Sequence, residues 1–307
     1  MFDYPALAAV AAIIREGSFE RAAAALGVTP SAVSQRVRAL EERLGAILIA
    51  RGHPCTPTPI GAQLCAHAER VALLESELAG RLPELAGTPG AAATTIRIAV
   101  NGDSLTSWFP PAAAAFAEET GALLDIVLDD EKLTAERLRS GDVFAAITVD
   151  ASPVQGCRTL TLGSLRYVAA ASPAFVRGHF AAGVTAETLA HAPVLRFDRN
   201  DILQTQWVRE SLGIDLAAPV HWIPSTQGFL DMAVAGLGWG LHPLIIAKPH
   251  LDAGRLVELV PGMRTDMPLY WQYSRLGAKL LERLSAAVSR AARGVLVPAG
   301  QHAVRSG

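Results

Sequence analysis

Residues 17–51 read GSFERAAAALGVTPSAVSQRVRALEERLGAILIAR, and their periodicity sets the fold of the N-terminal part. Phe19, Ala22, Ala23 and Leu26 recur at i, i+3, i+4 and i+7, one apolar face of a short helix behind a Ser18 N-cap. Gly27-Val28 supplies a turn. Thr29 caps a second helix, and Pro30 takes its first position, where a missing N–H costs nothing. Val33, Val37, Leu40 and Leu44 form the expected buried stripe of that helix; Ser31, Ser34, Gln35 and Arg38 form its opposite face. Two helices joined by so short a turn can place the second in a DNA major groove, where Gln and Arg match the edges of adenine and guanine. An ordinary helical hairpin with a polar outer face has the same pattern.

Outward from this stretch, Leu7, Val10, Ala11 and Ile14 give an opening helix, completing a three-helix unit. Ile47–Ile49 is β-prone, and the proline-punctuated RGHPCTPTP of residues 51–59 reads as a wing whose Arg51 reaches the DNA backbone or minor groove. Over residues 1–58 six arginines face five acids, so binding to nucleic acid needs placed basic residues and two such units rather than a blanket of charge.

The chain has 307 residues, half of them hydrophobic, and a net charge of −2, which fits two or three folding units and excludes wholesale disorder. Cys55, Cys65 and Cys157 form no CxxC pair, so free thiols in a reducing cytoplasm are expected. No signal peptide, membrane span or zinc-ligand spacing is present, and no metal or cofactor is expected.

From Ile60, apolar positions run Leu64, (His67), Val71, Leu74, Leu78 at heptad spacing. Leu64, Val71, Leu74 and Leu78 are thereby candidate dimerisation residues, the alternative being a solitary amphipathic helix packed on its own domain. RLPELAGTPGAAATT (81–95) reads as a hinge. Beyond it, strands Ile96–Asn101, Leu123–Leu128, Phe144–Val149, Arg166–Ala171, Val194–Phe197, Val220–Ile223 and Trp239–His242 alternate with helices, predicting mainly parallel sheets. Leu269–Tyr273 and a helix over 277–293 come late enough to return to the first lobe, so two lobes with crossings near Leu162–Tyr167 and Asp266–Leu269 are expected.

Ligands in such sheets sit at the carboxyl ends of strands. Ser104, Thr148, Ser225 and Thr226 lie at three such ends and together suit a carboxylate, although each alone reads equally well as a cap or turn residue. Asn101 belongs to the first of these loops. Asp103, Asp130 and Asp198 are placed to meet a cation if they are not plain turn carboxylates, and Trp108 suits an aliphatic stem if it is not core.

The run Ala22-Ala23, Leu26, Ser31-Ala32-Val33-Ser34, Leu40-Glu41, Leu44-Gly45, Leu48-Ile49 and Arg51 resembles the DNA-binding half of LysR-type transcriptional regulators. Thr58 and Gly61 match the family's Thr-x-x-Gly, whereas Gly52-His53-Pro54-Cys55 lacks its usual further basic residue. AVNGDSLTSWF (99–109), PVQGC (153–157), LRYVAAASPAF (165–175), STQGF (225–229), AGLGWG (235–240) and PLYWQ (268–272) extend the resemblance to the ArgP/LysG branch. The resemblance implies an α/β multidomain protein. A winged helix-turn-helix occupies 1–58, a linker helix and hinge 59–91, and 92–307 forms a two-lobed effector domain resembling a periplasmic binding protein. Lobe I covers about 92–163 and 269–300, lobe II about 164–268. It further implies double-stranded DNA and RNA polymerase as partners, L-lysine or L-arginine as effector, activation of an exporter gene, and a cytoplasmic homodimer or homotetramer. Thr29, Ser31, Ser34, Gln35, Arg36, Arg38 and Arg51 are the candidate DNA contacts. The alternatives are a family member sensing another carboxylate-bearing effector, or a solute-binding protein. An enzyme is disfavoured, since no HExxH, GxSxG or phosphate loop occurs and Gly236–Gly240 lacks dinucleotide spacing.

Overall fold

The computed structural model describes residues 3–79, 94–128, 131–276 and 279–298. Three helices open the chain: α1 (Tyr4–Glu16), α2 (Phe19–Leu26) and α3 (Pro30–Leu44). The sequence's capping residues start them. The Asp3 carboxylate accepts from the Ala6 N–H, the Ser18 hydroxyl from Arg21 and the Thr29 hydroxyl from Ala32. Leu7, Val10, Ile13, Ala22, Ala23, Val33, Val37 and Leu40 pack into one core, while Ala11 and Ile14 lie at its margin. Leu44 departs from the expected stripe: it ends α3, lies beyond Leu40 and is exposed.

β1 (Ile49–Ala50) and β2 (Thr56–Pro57) pair antiparallel and form the wing. Two contacts tie it to the helices. The Leu48 N–H donates to Glu41 Oε1 at 2.8 Å. The Thr58 hydroxyl donates to the Ile47 carbonyl at 2.8 Å and accepts from the Gly61 N–H at 3.1 Å, so it caps the following helix and fastens it to the wing. That helix, α4 (Pro59–Ala79), packs Cys65 against the first core, and its Leu73 joins the core of the remainder of the chain. Arg70 of α4 donates to the Ser140 carbonyl at 3.3 Å, its guanidinium lying over Gly141 where a side chain would collide. The hinge expected over 81–95 lies outside the described residues up to position 93.

Elements then alternate: β3 (Thr95–Val100), α5 (Gly102–Thr106), α6 (Pro110–Thr120), β4 (Leu123–Leu128), α7 (Glu131–Ser140) and β5 (Ala145–Thr148). The long strand β6 (Cys157–Ala171) leads to α8 (Pro173–His179), α9 (Ala186–His191), β7 (Val194–Arg196), α10 (Leu203–Leu212), β8 (Val220–Trp222) and α11 (Thr226–Val234). β9 (Gly240–Pro243), α12 (Leu244–Asp252), β10 (Val257–Glu258), β11 (Thr265–Ser274) and α13 (Lys279–Val295) complete the fold. One sheet has the order β10-β6-β11-β5-β3-β4, with β9 also on β6; β7 and β8 form a separate parallel pair.

The expectation of mainly parallel pairing holds for β3 with β4 and β5 and for β7 with β8. It fails at the centre, where β6 and β11 run antiparallel from Cys157↔Ser274 to Tyr167↔Thr265. The segments read as two short crossings belong to this one long ribbon. At the ribbon's middle the register slips between Leu269 and Tyr270, opposite Gly163, whose φ of +123° only glycine adopts readily. An Arg166–Asp266 pair with two 2.7 Å hydrogen bonds pins the strands on one side of the slip. α13 buries Leu281, Leu284, Val288 and Ala292, a helical stripe, beneath the sheet. No described helix is long and apolar enough to cross a membrane, and no described group of His, Cys, Asp or Glu is arranged to hold a metal ion.

Candidate functional site

Two features stand out, one on each part of the chain. On α3, Ser31, Ser34, Gln35 and Arg38 share an exposed face opposite Val33, Val37 and Leu40. Thr29 sits at the N-terminal end of that face with its hydroxyl engaged by the Ala32 N–H and 3.0 Å from Ser31 Oγ. Arg36 points off to the side and is half-buried. The Arg51 guanidinium lies 5.4 Å from the centre of the Phe19 ring, which holds this wing residue beside α2. On α4, Leu64 packs into the first core and Val71 is half-buried, whereas Leu74 and Leu78 are exposed.

The second feature is a cavity of about 270 Å³ within the α/β part. Its walls are the loop after β3, Tyr167 and Met267 from the antiparallel ribbon, the segment between β7 and α10, the start of α11, and β9. Asp103 is its most informative residue. Oδ2 accepts from the Tyr167 hydroxyl at 2.6 Å and Oδ1 from the Thr226 hydroxyl at 2.8 Å, and no described lysine or arginine lines the space. Burial pushes the Asp103 carboxyl above the usual range despite these two hydrogen bonds, and Asp201 pushes it the same way. Gly102 permits this approach, since a Cβ there would stand 2.9 Å from Thr226 Oγ1. His242, also in the wall, is fully buried and pushed down to about 4, so it is neutral at physiological pH. The cavity is therefore lined by three aspartates (Asp103, Asp198 and Asp201) and the amides of Asn101, Asn200 and Gln204, with apolar Phe197, Phe229 and Met267 between them. Such a lining favours a cationic ligand with an aliphatic stem.

Of the residues singled out in the sequence, Asn101, Asp103, Asp198 and Thr226 meet at this cavity. Ser104 and Trp108 do not: the Trp108 indole N–H donates to Ser104 Oγ at 3.0 Å, and both are buried beneath the loop. Thr148 accepts from the Asp150 N–H away from the cavity, and Ser225 caps α11 through the Gly228 N–H. The hydroxyl cluster expected to hold a carboxylate is thus dispersed, and its one cavity member, Thr226, spends its hydroxyl on Asp103. Asp198 accepts from the N–H groups of Asn200 and Asp201, which is turn geometry. Asp130 lies outside the described residues. Sequence reasoning passed over Tyr167, Gln204 and His242. Only Tyr167 carried a signal, as a hydroxyl-bearing ring inside a strand expected to cross between lobes.

A recognition helix with a wing, joined by a long helix to a two-lobed α/β unit around a cavity lined by aspartates, defines a ligand-responsive DNA-binding regulator. Residues 5–62 match the bacterial regulatory helix-turn-helix protein, lysR family, and residues 89–293 match the LysR substrate binding domain. The chain belongs to the LysR family of transcriptional regulators. It is 43% identical over 285 residues to the HTH-type transcriptional regulator ArgP of Pseudomonas aeruginosa, covering 93% of this chain and 94% of that one. To LysG of Mycobacterium tuberculosis it is 42% identical over 293 residues, 95% of this chain and 94% of the other. Among solved structures, ArgP from Mycobacterium tuberculosis superposes with a TM-score of 0.77 at 40% identity, covering 97% of this chain and 100% of that one. Full-length LysG from Corynebacterium glutamicum with bound effector Arg has a TM-score of 0.67 at 39% identity, with the same coverage.

Proposed function

We propose that this regulator is switched by a basic amino acid, L-lysine or L-arginine, bound in the cavity beside Asp103, and that it activates a gene for amino-acid export. The observation that carries this reading is a carboxylate held by two hydroxyls in a space where no described residue supplies a lining cation. A ligand ammonium or guanidinium supplies the missing counter-charge. For the ligand carboxylate, Asn101 is suited: its Oδ1 is committed to the Ser104 N–H at 2.8 Å, which turns its amide NH2 outward. The first turn of α11, beginning at Thr226 in the wall, adds the positive end of a helix dipole. The effector bound to the LysG structure is arginine, in keeping with this chemistry.

The polypeptide divides into the DNA-binding unit, the α4 linker and the effector domain at the boundaries given above, and works in the cytoplasm. The exposed Leu74 and Leu78 of α4 pair with a second copy, giving a homodimer or homotetramer that sets two recognition helices on an inverted repeat. Effector binding shifts the lobes about the ribbon by its differential affinity for two poses, and α4 passes the change to the DNA-binding pair and to RNA polymerase.

The test is selection of DNA sites by the full chain with and without L-lysine or L-arginine, followed by footprinting. One inverted repeat whose protected length changes with effector supports the proposal; a footprint indifferent to both amino acids contradicts it. In the same assay Gln35→Ala is expected to relax choice at one base pair by about 1–3 kcal/mol. Unaltered selectivity would remove Gln35 from the reading residues.

A further inference from the structure

Gln204, the second residue of α10, lines the cavity and is 1% exposed. Its Nε2 donates to Asp201 Oδ2 at 3.2 Å. Asp201 also accepts from the N–H groups of Phe197 and Leu203, so it is an acceptor throughout, and the amide orientation follows from it: the NH2 faces Asp201 and Oε1 faces away. That Oε1 is buried and has no hydrogen-bond partner among the described residues. Folded proteins leave few buried acceptors in this condition, and one carried by a residue that lines a ligand cavity is a candidate to take its donor from the ligand.

We infer that Gln204 is a specificity-determining residue of the effector site, its Oε1 accepting an N–H from one cationic group of the effector while Asp103 holds the other. This rests on the basic-amino-acid reading above. The two acceptors come from different places in the fold, Asp103 from the loop after β3 and Gln204 from the start of α10. A basic amino acid carries two N–H-bearing groups, an α-ammonium and a side-chain cation, and satisfies both acceptors at once. A neutral aliphatic amino acid has only the first and leaves one acceptor bare, so rejection of aliphatic amino acids is built into the wall. An amide does this without adding charge next to Asp201, where a second carboxylate would be repelled.

The experiment is calorimetric titration of the full chain, as wild type and Gln204→Met, with L-arginine and with L-lysine, alongside thermal melting of each ligand-free protein. Gln204→Met keeps the length of the side chain and removes its amide. The expected result is a loss of at least about tenfold in affinity for both ligands in Gln204→Met with an unchanged melting temperature. Wild-type affinity in Gln204→Met overturns the inference. Should Gln204→Met melt early, the titration is repeated at a temperature where circular dichroism shows it fully folded: a tenfold loss there supports the acceptor role, and wild-type affinity overturns it. A wild-type chain that binds neither ligand overturns the basic-amino-acid reading itself, a separate outcome.

Discussion

Asp103→Asn is expected to leave the protein folded and to weaken L-arginine or L-lysine binding by two orders of magnitude or more. The substitution keeps the shape and an oxygen for the Thr226 or Tyr167 hydroxyl, sets an NH2 donor against the oxygen of the other, and removes the charge. Leaving a bound cation without its partner in a closed site costs about 3–5 kcal/mol, which is the stated loss or more. The pH dependence carries the same signature. Because burial raises the Asp103 carboxyl in the folded state, the native protein binds more protons than the unfolded chain between the ordinary aspartate value and the raised one. Stability of the ligand-free protein therefore falls as pH rises through that window. A bound cation lowers the same carboxyl again, so effector binding there releases protons. Titration in two buffers of different ionisation enthalpy measures that release, and Asp103→Asn abolishes it. Proton release unchanged in the variant would assign the effect to another group.

Gly61→Ala is expected to destabilise the DNA-binding unit strongly while sparing the cavity. A Cβ at Gly61 would fall on the Leu48 carbonyl, well inside any real contact, and the atoms it meets are backbone that cannot rotate away. The Leu48 segment is fixed on its other sides by Glu41 and by Thr58, so relief means pulling α4 off the wing. Overpacking of this kind costs about 3 kcal/mol or more, a large part of the roughly 5–15 kcal/mol that stabilises a typical domain. Melting followed by circular dichroism is expected to show an early transition, with DNA binding lost and effector affinity retained. A single transition at the wild-type temperature would show that the close approach at Leu48 is not needed.

These two substitutions also mark where the sequence is legible. The DNA-binding half reads well because its determinants are local: Ser18 and Thr29 cap the helices they precede, Pro30 opens one, and Val33, Val37 and Leu40 follow the helical period. Thr58-x-x-Gly61 is visible as a pattern, yet the reason for its glycine is the carbonyl thirteen residues earlier, which only the fold reveals. In the effector half the strands and helices read well singly. Their pairing does not, because the β6–β11 ribbon joins residues about a hundred positions apart. The cavity inherits that difficulty. Asp103 is met by Tyr167 and Thr226, 64 and 123 residues away, and no spacing rule links them. Hydroxyls at strand ends were a fair guide to caps and a poor one to the cavity wall, since Ser104, Thr148 and Ser225 lie outside the lining and each satisfy a nearby donor. Gln204 was silent in the sequence, a polar residue in an ordinary first turn, and becomes informative only when the fold makes it a cavity residue whose oxygen is buried without a partner among the described residues.

The claim that the effector's side-chain cation completes the Asp103 site is tested most directly by titrating the full chain with L-arginine and with L-citrulline. The two have nearly the same shape and differ in charge. Saturable binding of L-arginine, with L-citrulline at least about a hundredfold weaker, is the result this structure predicts. Equal binding of both, or binding of L-citrulline alone, would contradict it.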